Sequence, residues 1–396
     1  MSTPSPYDGR AEERLIALLR VVLAGEDTAA ISDESRALSP LTEAEEERLY
    51  LLSKSQDLSH LILPAAERIG LSVPSPYAEK YNKQTFLALY RDERMTAALS
   101  RVGDALSAAK IPYLPLKGAV MRTLYPETWQ RTSCDMDILV HEEDLDRAVR
   151  ALETVGYTAG KRIFHDVHLE SEDGLLLELH FSIGEGSATL DPVLAGVWEN
   201  AAPEAEGSFC YRMDSAFFLF HLLAHMAYHF SSGGCGVRPF MDVFLYRRSV
   251  SFDEEKLSRL LGEASLTAFS ASVFRLCDAW FSDAPYDDLC RRMESFLFRG
   301  GIYGTKQQGM AVNRAKKGGK IGFLFRRLFP PFRILSARYP VLKKHPWLTP
   351  FFHVRRWFSL LGKEARERSI RSWKIMQRVD EKTVDDTKDL IEKLGL

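Results

Sequence analysis

Helical and strand periods alternate along this chain in four stretches. Up to about residue 75 the apolar positions recur at helical spacing. "SPLTEAEEERLYLLSKS" crowds glutamates at its start, as the positive end of a helix dipole favours. Pro74 and Pro76 punctuate, and a longer helical pattern runs from about Tyr77 to Ala109 through "FLALYRDERMTAALSRVGDALSAA". The texture changes at "IPYLPLKGAV". Tyr113 to Leu116 reads as a short strand and Lys117-Gly118 as a turn into a helix ending near Tyr125. A strand in "RTSCDMDILVH" follows, then a helix from about Glu142 to Thr154 that Gly156 can stop. "KRIFHDVHLES" and "GLLLELHFSI" are predicted as two strands joined by a hairpin turn at Glu172-Asp173-Gly174.

From Asp214 to about residue 300 the pattern is helical again. Asp214 is an N-cap candidate before "SAFFLFHLLAHMAYHF", and Ser251 with Glu254 fits a capping box before "EKLSRLLGEAS". Beyond residue 314, prolines in "FPPF", "YPVLKKHPW" and "LTPFF" break the chain into short pieces, while 354–378 and 380–394 suit helices. The expected class is α+β: a small mixed sheet with flanking helices, plus N- and C-terminal helical regions. The expected division is 1–76 helical, 77–200 carrying the sheet, 201–313 helical, and 314–396 basic, aromatic-rich and helical.

Composition changes this picture in two respects. Five cysteines (134, 210, 235, 277 and 290) form no CxxC pair and read as reduced thiols. "MSTPSPYDGRAEE" lacks the basic-then-apolar order of a secretory leader, and no run approaches the ~18 apolar residues of a membrane span. Both point to a cytoplasmic protein. Net charge is −2, yet residues 314–378 hold 18 Lys and Arg against Glu364 and Glu367, about +16, so the remainder carries about −18. Cations interleaved with Phe, Tyr and Trp suit a solvated helical face first. Peripheral contact with an anionic membrane comes next, and nucleic acid after that.

The chemistry begins with Asp135 and Asp137. Residues i and i+2 of a strand share a face, so two like charges lie side by side ahead of the buried-type run Ile138-Leu139-Val140. Such a pair either lies solvated at a strand end or binds a divalent metal. On the later strand Glu178 and His180 share a face with Leu176, while Leu175, Leu177, Leu179 and Phe181 take the other. Three acids on neighbouring strands can hold two divalent cations about 4 Å apart for phosphoryl or nucleotidyl transfer. Mg²⁺, or Mn²⁺, suits carboxylates combined with substrate phosphates. Gly118, at a strand-to-helix turn, lets backbone N–H groups meet an anion.

The ordered set "LPLKGAV…R…DMDILV…LELHF" resembles the DNA polymerase β-like nucleotidyltransferase superfamily. More narrowly it is similar to a bacterial nucleotidyltransferase family in which Lys-Gly, Arg-x-x-x-Asp-x-Asp and Glu-x-His recur. The resemblance spans most of residues 80–360 and departs at the phosphate turn, where Gly118-Ala119 stands in place of Gly-Ser. It implies a nucleotidyltransferase core in 77–200, with Asp135, Asp137 and Glu178 as catalytic metal ligands. It further implies that Lys117, Gly118 and Arg131 bind the NTP phosphates. The expected activity is Mg²⁺-dependent transfer of a nucleotidyl group from an NTP such as ATP to an acceptor: a small molecule, sugar, peptide or protein. Phosphotransfer on the same fold, and a catalytically silent nucleotide-binding scaffold, are the alternatives.

Supporting residues are read less sharply. His180 is a candidate second layer behind the acids, or a satisfied core histidine. His221, His225 and His229, four apart, share one helical face. No acid or cysteine joins them locally and no HExxH is present, so they read as histidines lining a cleft rather than a zinc site. Asp242 is expected to pair with one of them or with Arg238.

Overall fold

The computed structural model describes residues 9–25, 39–163, 165–282, 284–300 and 381–396, with single positions and short stretches between 308 and 359. Most of the basic segment 314–378 lies outside the described residues, and the expectations placed on it stay there.

Four helices lead to the sheet: α1 (Arg10–Leu23), α2 (Glu43–Ser55), α3 (Ser59–Arg68) and α4 (Ser75–Ala108). α2 opens with a capping box in which Thr42 and Glu45 each receive the other's backbone N–H, which satisfies two donors the first turn would orphan. α4 starts where Pro74 and Pro76 permit it, Pro76 needing no N–H in the first turn. Its buried positions Tyr81, Ala88, Met95, Ala98, Val102 and Leu106 form one stripe. That stripe docks first on α3 and then on the sheet.

The sheet has five strands: β1 (Tyr113–Pro115), β2 (Asp135–Val140), β3 (Tyr157–Arg162), β4 (Asp166–Ser171) and β5 (Leu176–His180). Their spatial order is β1-β2-β5-β4-β3. β2 and β5 run parallel and the other neighbours antiparallel, giving the mixed sheet the pattern predicts. The sequence pattern does not predict β3: "YTAGKR" has no apolar run, and its pairing with β4 shifts register between Ala159 and Arg162. One face carries Met136, Ile138, Val140, Val167, Leu169, Leu177 and Leu179, packed against α4 and against Leu145, Ala148 and Leu152 of α6 (Leu145–Glu153). The opposite face, one residue out of phase, carries the polar groups.

Downstream, a short hairpin β6 (Ala201–Pro203) and β7 (Tyr211–Met213) leads into α8 (Ser215–Ser232), which is longer than the single turn α7 (Asp191–Leu194) before it. The Asp214 carboxylate caps α8 by accepting from the N–H groups of Ala216 and Phe217. Gly233 ends it at φ 109°, with the Gly309 backbone so close that a Cβ would collide. α9 (Arg238–Ser249), α10 (Glu254–Glu263), α11 (Thr267–Phe281) and α12 (Asp288–Gly300) follow. The cap of α10 is Asp253, which accepts from Lys256 N–H, and not the Ser251–Glu254 box read from the sequence. Residues of α1–α3 and α8–α12 share one continuous apolar core, which also takes Leu114, Leu116 and Leu139 from the sheet side. Phe217, Phe220 and Phe230 of α8 lie fully inside it, each contributing about 1.5–3 kcal/mol of burial. α8 is thereby fixed opposite the polar face of the sheet. Among the described residues no helix is long and apolar enough to cross a membrane.

Candidate active site

The polar sheet face gathers its acids by register. Asp137 on β2 pairs directly with Glu178 on β5, and Glu178 with His168 on β4. His180 pairs with Asp166. Asp135, Asp137, Glu178, His180, Asp166 and His168 therefore point the same way. The ligand atoms of Asp137, Glu178 and His180 lie within 4.8 Å of one another. The predicted trio Asp135, Asp137 and Glu178 is on one face, and Asp166, His168 and the neighbouring His165 join it.

α5 (Lys117–Met121) begins at the edge of this face. Leu116 donates its N–H to the Asp137 carbonyl at 3.0 Å, tying the turn to β2. Lys117 has φ 35°, a left-handed value that a non-glycine residue adopts at a cost. The conformation aims its side chain inward, and Nζ stands 3.7 Å from Asp137 Oδ1. Gly118 stands at a close approach: a Cβ there would lie 2.5 Å from Ser133 Oγ and push that hydroxyl aside.

The carboxylates differ in environment. Burial works against the charge on Asp137, but Lys117 and a hydrogen bond with His180 outweigh it and hold the carboxyl below its usual range. His180 Nε2 is 2.9 Å from Asp137 Oδ1. Asp135 is shifted the other way, by burial and then by the charge on Asp137. Glu178 is also pushed up, by burial and then by Asp137 and Asp135. His168 and His180 each approach it at 3.6 Å.

Arg131, which the resemblance assigns to the phosphates, meets protein groups here. Asp242 takes its Nε at 2.9 Å and its Nη2 at 2.9 Å. Nη1 donates to Thr132 O and Ser133 Oγ. Every nitrogen of the guanidinium thus has a protein partner, which makes Arg131 a buried strut between the β2 approach and α9. Asp242 also accepts from Tyr125 OH at 2.8 Å. It pairs with neither Arg238 nor a histidine; Arg238 instead bonds to Asp57 and Thr132.

α8 closes the site from the other side. His221, His225 and His229 face a cavity of about 220 Å³ that Lys117, Glu178, His180 and Glu185 also line. Glu185, in the loop after β5, sits 2.6 Å from His225 Nδ1, and His225 Nε2 lies 3.0 Å from His229 Nε2. An acid does join these histidines, from a loop with no local signal for it. Burial and then the Lys117 charge push His225 well below its ordinary value. His221 is buried and neither of its ring nitrogens makes a hydrogen bond.

Residues 42–282 match the family described as uncharacterised nucleotidyltransferase. The chain belongs to that family. Nucleotidyltransferases move a nucleotidyl group from an NTP to an acceptor and release pyrophosphate, and the match takes in both the acidic sheet face and the histidine face of α8. No curated protein sequence matches the chain. A solved structure of the antibiotic-resistance factor ANT(2'')-Ia aligns at 14% identity and TM-score 0.34, covering 46% of this chain and 96% of the other.

Proposed function

We propose that this protein is a Mg²⁺-dependent nucleotidyltransferase in which an NTP lies on the polar sheet face and the acceptor occupies the cavity beneath α8. The observation that carries this reading is the pairing of Asp137 with Glu178 at one register of parallel strands, with Lys117 Nζ beside Asp137. The donor set fits a hard divalent cation, because three carboxylates crowd one face and burial with mutual repulsion pushes Asp135 and Glu178 up. Asp135, Asp137 and Glu178 would hold Mg²⁺ (or Mn²⁺), which when bound neutralises phosphate charge and acidifies an attacking hydroxyl.

The chain's own groups do the rest. Lys117 is the ammonium at this face and is suited to a phosphate oxygen. Glu178, with the higher proton affinity of the facing pair, is placed to accept the acceptor's proton. His180 orients Asp137 through its hydrogen bond. Glu185 holds the His225 ring, and His225 with His229 gives the acceptor cavity a polar wall. Arg131 keeps the turn and β2 in register through Asp242 and Ser133.

Thermal unfolding with each NTP, with and without Mg²⁺, tests the reading. An NTP should raise the midpoint only when Mg²⁺ is present, and Lys117→Ala should reduce that rise. An equal rise without Mg²⁺, or an unchanged rise in Lys117→Ala, would remove the proposed NTP site.

A further inference from the structure

The acidic face extends beyond the three carboxylates that fit Mg²⁺. Asp166 on β4 is more deeply buried than any of them, only 3% exposed. Its Oδ1 is buried without a hydrogen bond. Among the described residues no Lys or Arg forms an ion pair with it. What surrounds it is imidazole: His165 Nε2 is 3.1 Å from Oδ2, and His168 Nε2 is 3.2 Å from Oδ1. His180 pairs with Asp166 across the β4–β5 ladder, and its ring lies parallel to that of His165 at 5.7 Å. The ligand atoms of His165, Asp166 and His180 all fall within 4.8 Å of one another. A buried carboxylate and ring nitrogens that converge with no Lys or Arg among them are a donor set that a metal cation can satisfy.

The balance of charge on the face points the same way. Asp135, Asp137, Glu178 and Asp166 are four carboxylates. Lys117 is the one Lys or Arg within ion-pair distance of any of them among the described residues. A hard cation at the Asp135–Asp137–Glu178 end does not account for Asp166, whose potential co-ligands are nitrogen donors. Mg²⁺ dehydrates reluctantly and prefers oxygen, whereas imidazole suits Zn²⁺, Mn²⁺, Co²⁺ and their neighbours. Two imidazoles and one carboxylate make a three-ligand set that leaves positions for water or substrate.

We infer that His165, Asp166 and His180 form a transition-metal site, separate from the carboxylate site for Mg²⁺ and bordering the same cavity. His168 and Glu178, whose ligand atoms also cluster with Asp166, flank it. His180 stands between the two centres, since its Nε2 also contacts Asp137 at 2.9 Å. One ring serves both, so occupancy of one centre bears on the other.

Co²⁺ reports such a site through its visible absorption. Untagged, chelator-stripped full-length protein is titrated with Co²⁺ in the presence of excess Mg²⁺, and Zn²⁺ is then added in competition. The wild type should develop a saturable band at one equivalent that Zn²⁺ abolishes and Mg²⁺ does not. Asp166→Asn and His165→Ala should each weaken binding at least ~tenfold. His165 is partly exposed, so its variant remains informative if Asp166→Asn fails to fold. Asp135→Asn should keep the Co²⁺ band while losing the Mg²⁺-dependent effect of NTP, which separates this site from the proposed nucleotide site. No band in the wild type, or equal binding in wild type and His165→Ala, would overturn the assignment and leave adventitious metal only.

Discussion

Asp137 faces Glu178 across the parallel pair β2–β5, and their environments drive the two carboxyls in opposite directions. Lys117 and His180 overcome burial at Asp137 and keep it anionic. Burial and the charges of Asp137 and Asp135 raise Glu178. Two acids at one register with unlike proton affinities suit unlike tasks: a fixed anion beside the ammonium, and an acid that can take a proton. That division underlies the proposed chemistry.

Removing Asp135 and removing Asp137 should have opposite effects on the metal-free protein. Asp135 suffers burial and the repulsion of Asp137, so Asp135→Asn should hold or raise the unfolding midpoint without Mg²⁺. Asp137 accepts the ion pair of Lys117 and the hydrogen bond of His180. Asp137→Asn weakens both and should cost about 1–3 kcal/mol. Denaturant unfolding in chelator reads the difference. Equal shifts in the two variants would contradict the stated environments.

Arg131 should prove structural. Arg131→Ala strands the buried Asp242 carboxylate, which then keeps only Tyr125 among the partners described above. Loss of one member of a buried pair costs about 3–5 kcal/mol. Arg131→Lys keeps the charge but not the two-edged grip, and should recover only part of the stability. A variant of unchanged stability with weakened NTP binding would restore Arg131 to the phosphates.

Much of this was legible beforehand, and the exceptions share a cause. The Asp135–Asp137 strand, the Lys117-Gly118 turn, the Glu178 strand and the Asp214 cap follow from local period and capping chemistry. The roles of Asp242 and Glu185 do not, because their partners Arg131 and His225 lie 111 and 40 positions away. Asp166 and His168 stand in a predicted strand, but its phase depends on pairing with β5, which no local pattern gives. β3 was hidden by an apolar-poor sequence and a register shift.

Acid should destabilise the fold from a defined point. Burial lowers His60 to about 4 from 6.5, and His221 is lowered well below that same ordinary value, again by burial. Both are neutral when folded, while the unfolded chain binds protons below pH ~6.5. Their contribution is therefore complete above about 6.5 and falls as pH drops toward 4, at ~1.4 kcal/mol per pH unit per histidine. Urea midpoints at pH 7.5, 6.5 and 5.5 should decline mainly over the last step, and less steeply in His60→Gln. An identical decline in that variant would remove His60 as a source.

The most direct test of the central claim follows the phosphorus. The protein is incubated with Mg²⁺ and a cell extract of small molecules and proteins, using each NTP labelled at the α or the γ phosphate. The account predicts that α label enters an acceptor with release of pyrophosphate, and that γ label stays with the pyrophosphate. Glu178→Gln should lower transfer by at least ~100-fold while Mg²⁺-dependent NTP binding persists. Transfer of γ label to the acceptor, or α transfer undiminished in Glu178→Gln, would contradict nucleotidyl transfer at the Asp137–Glu178 pair.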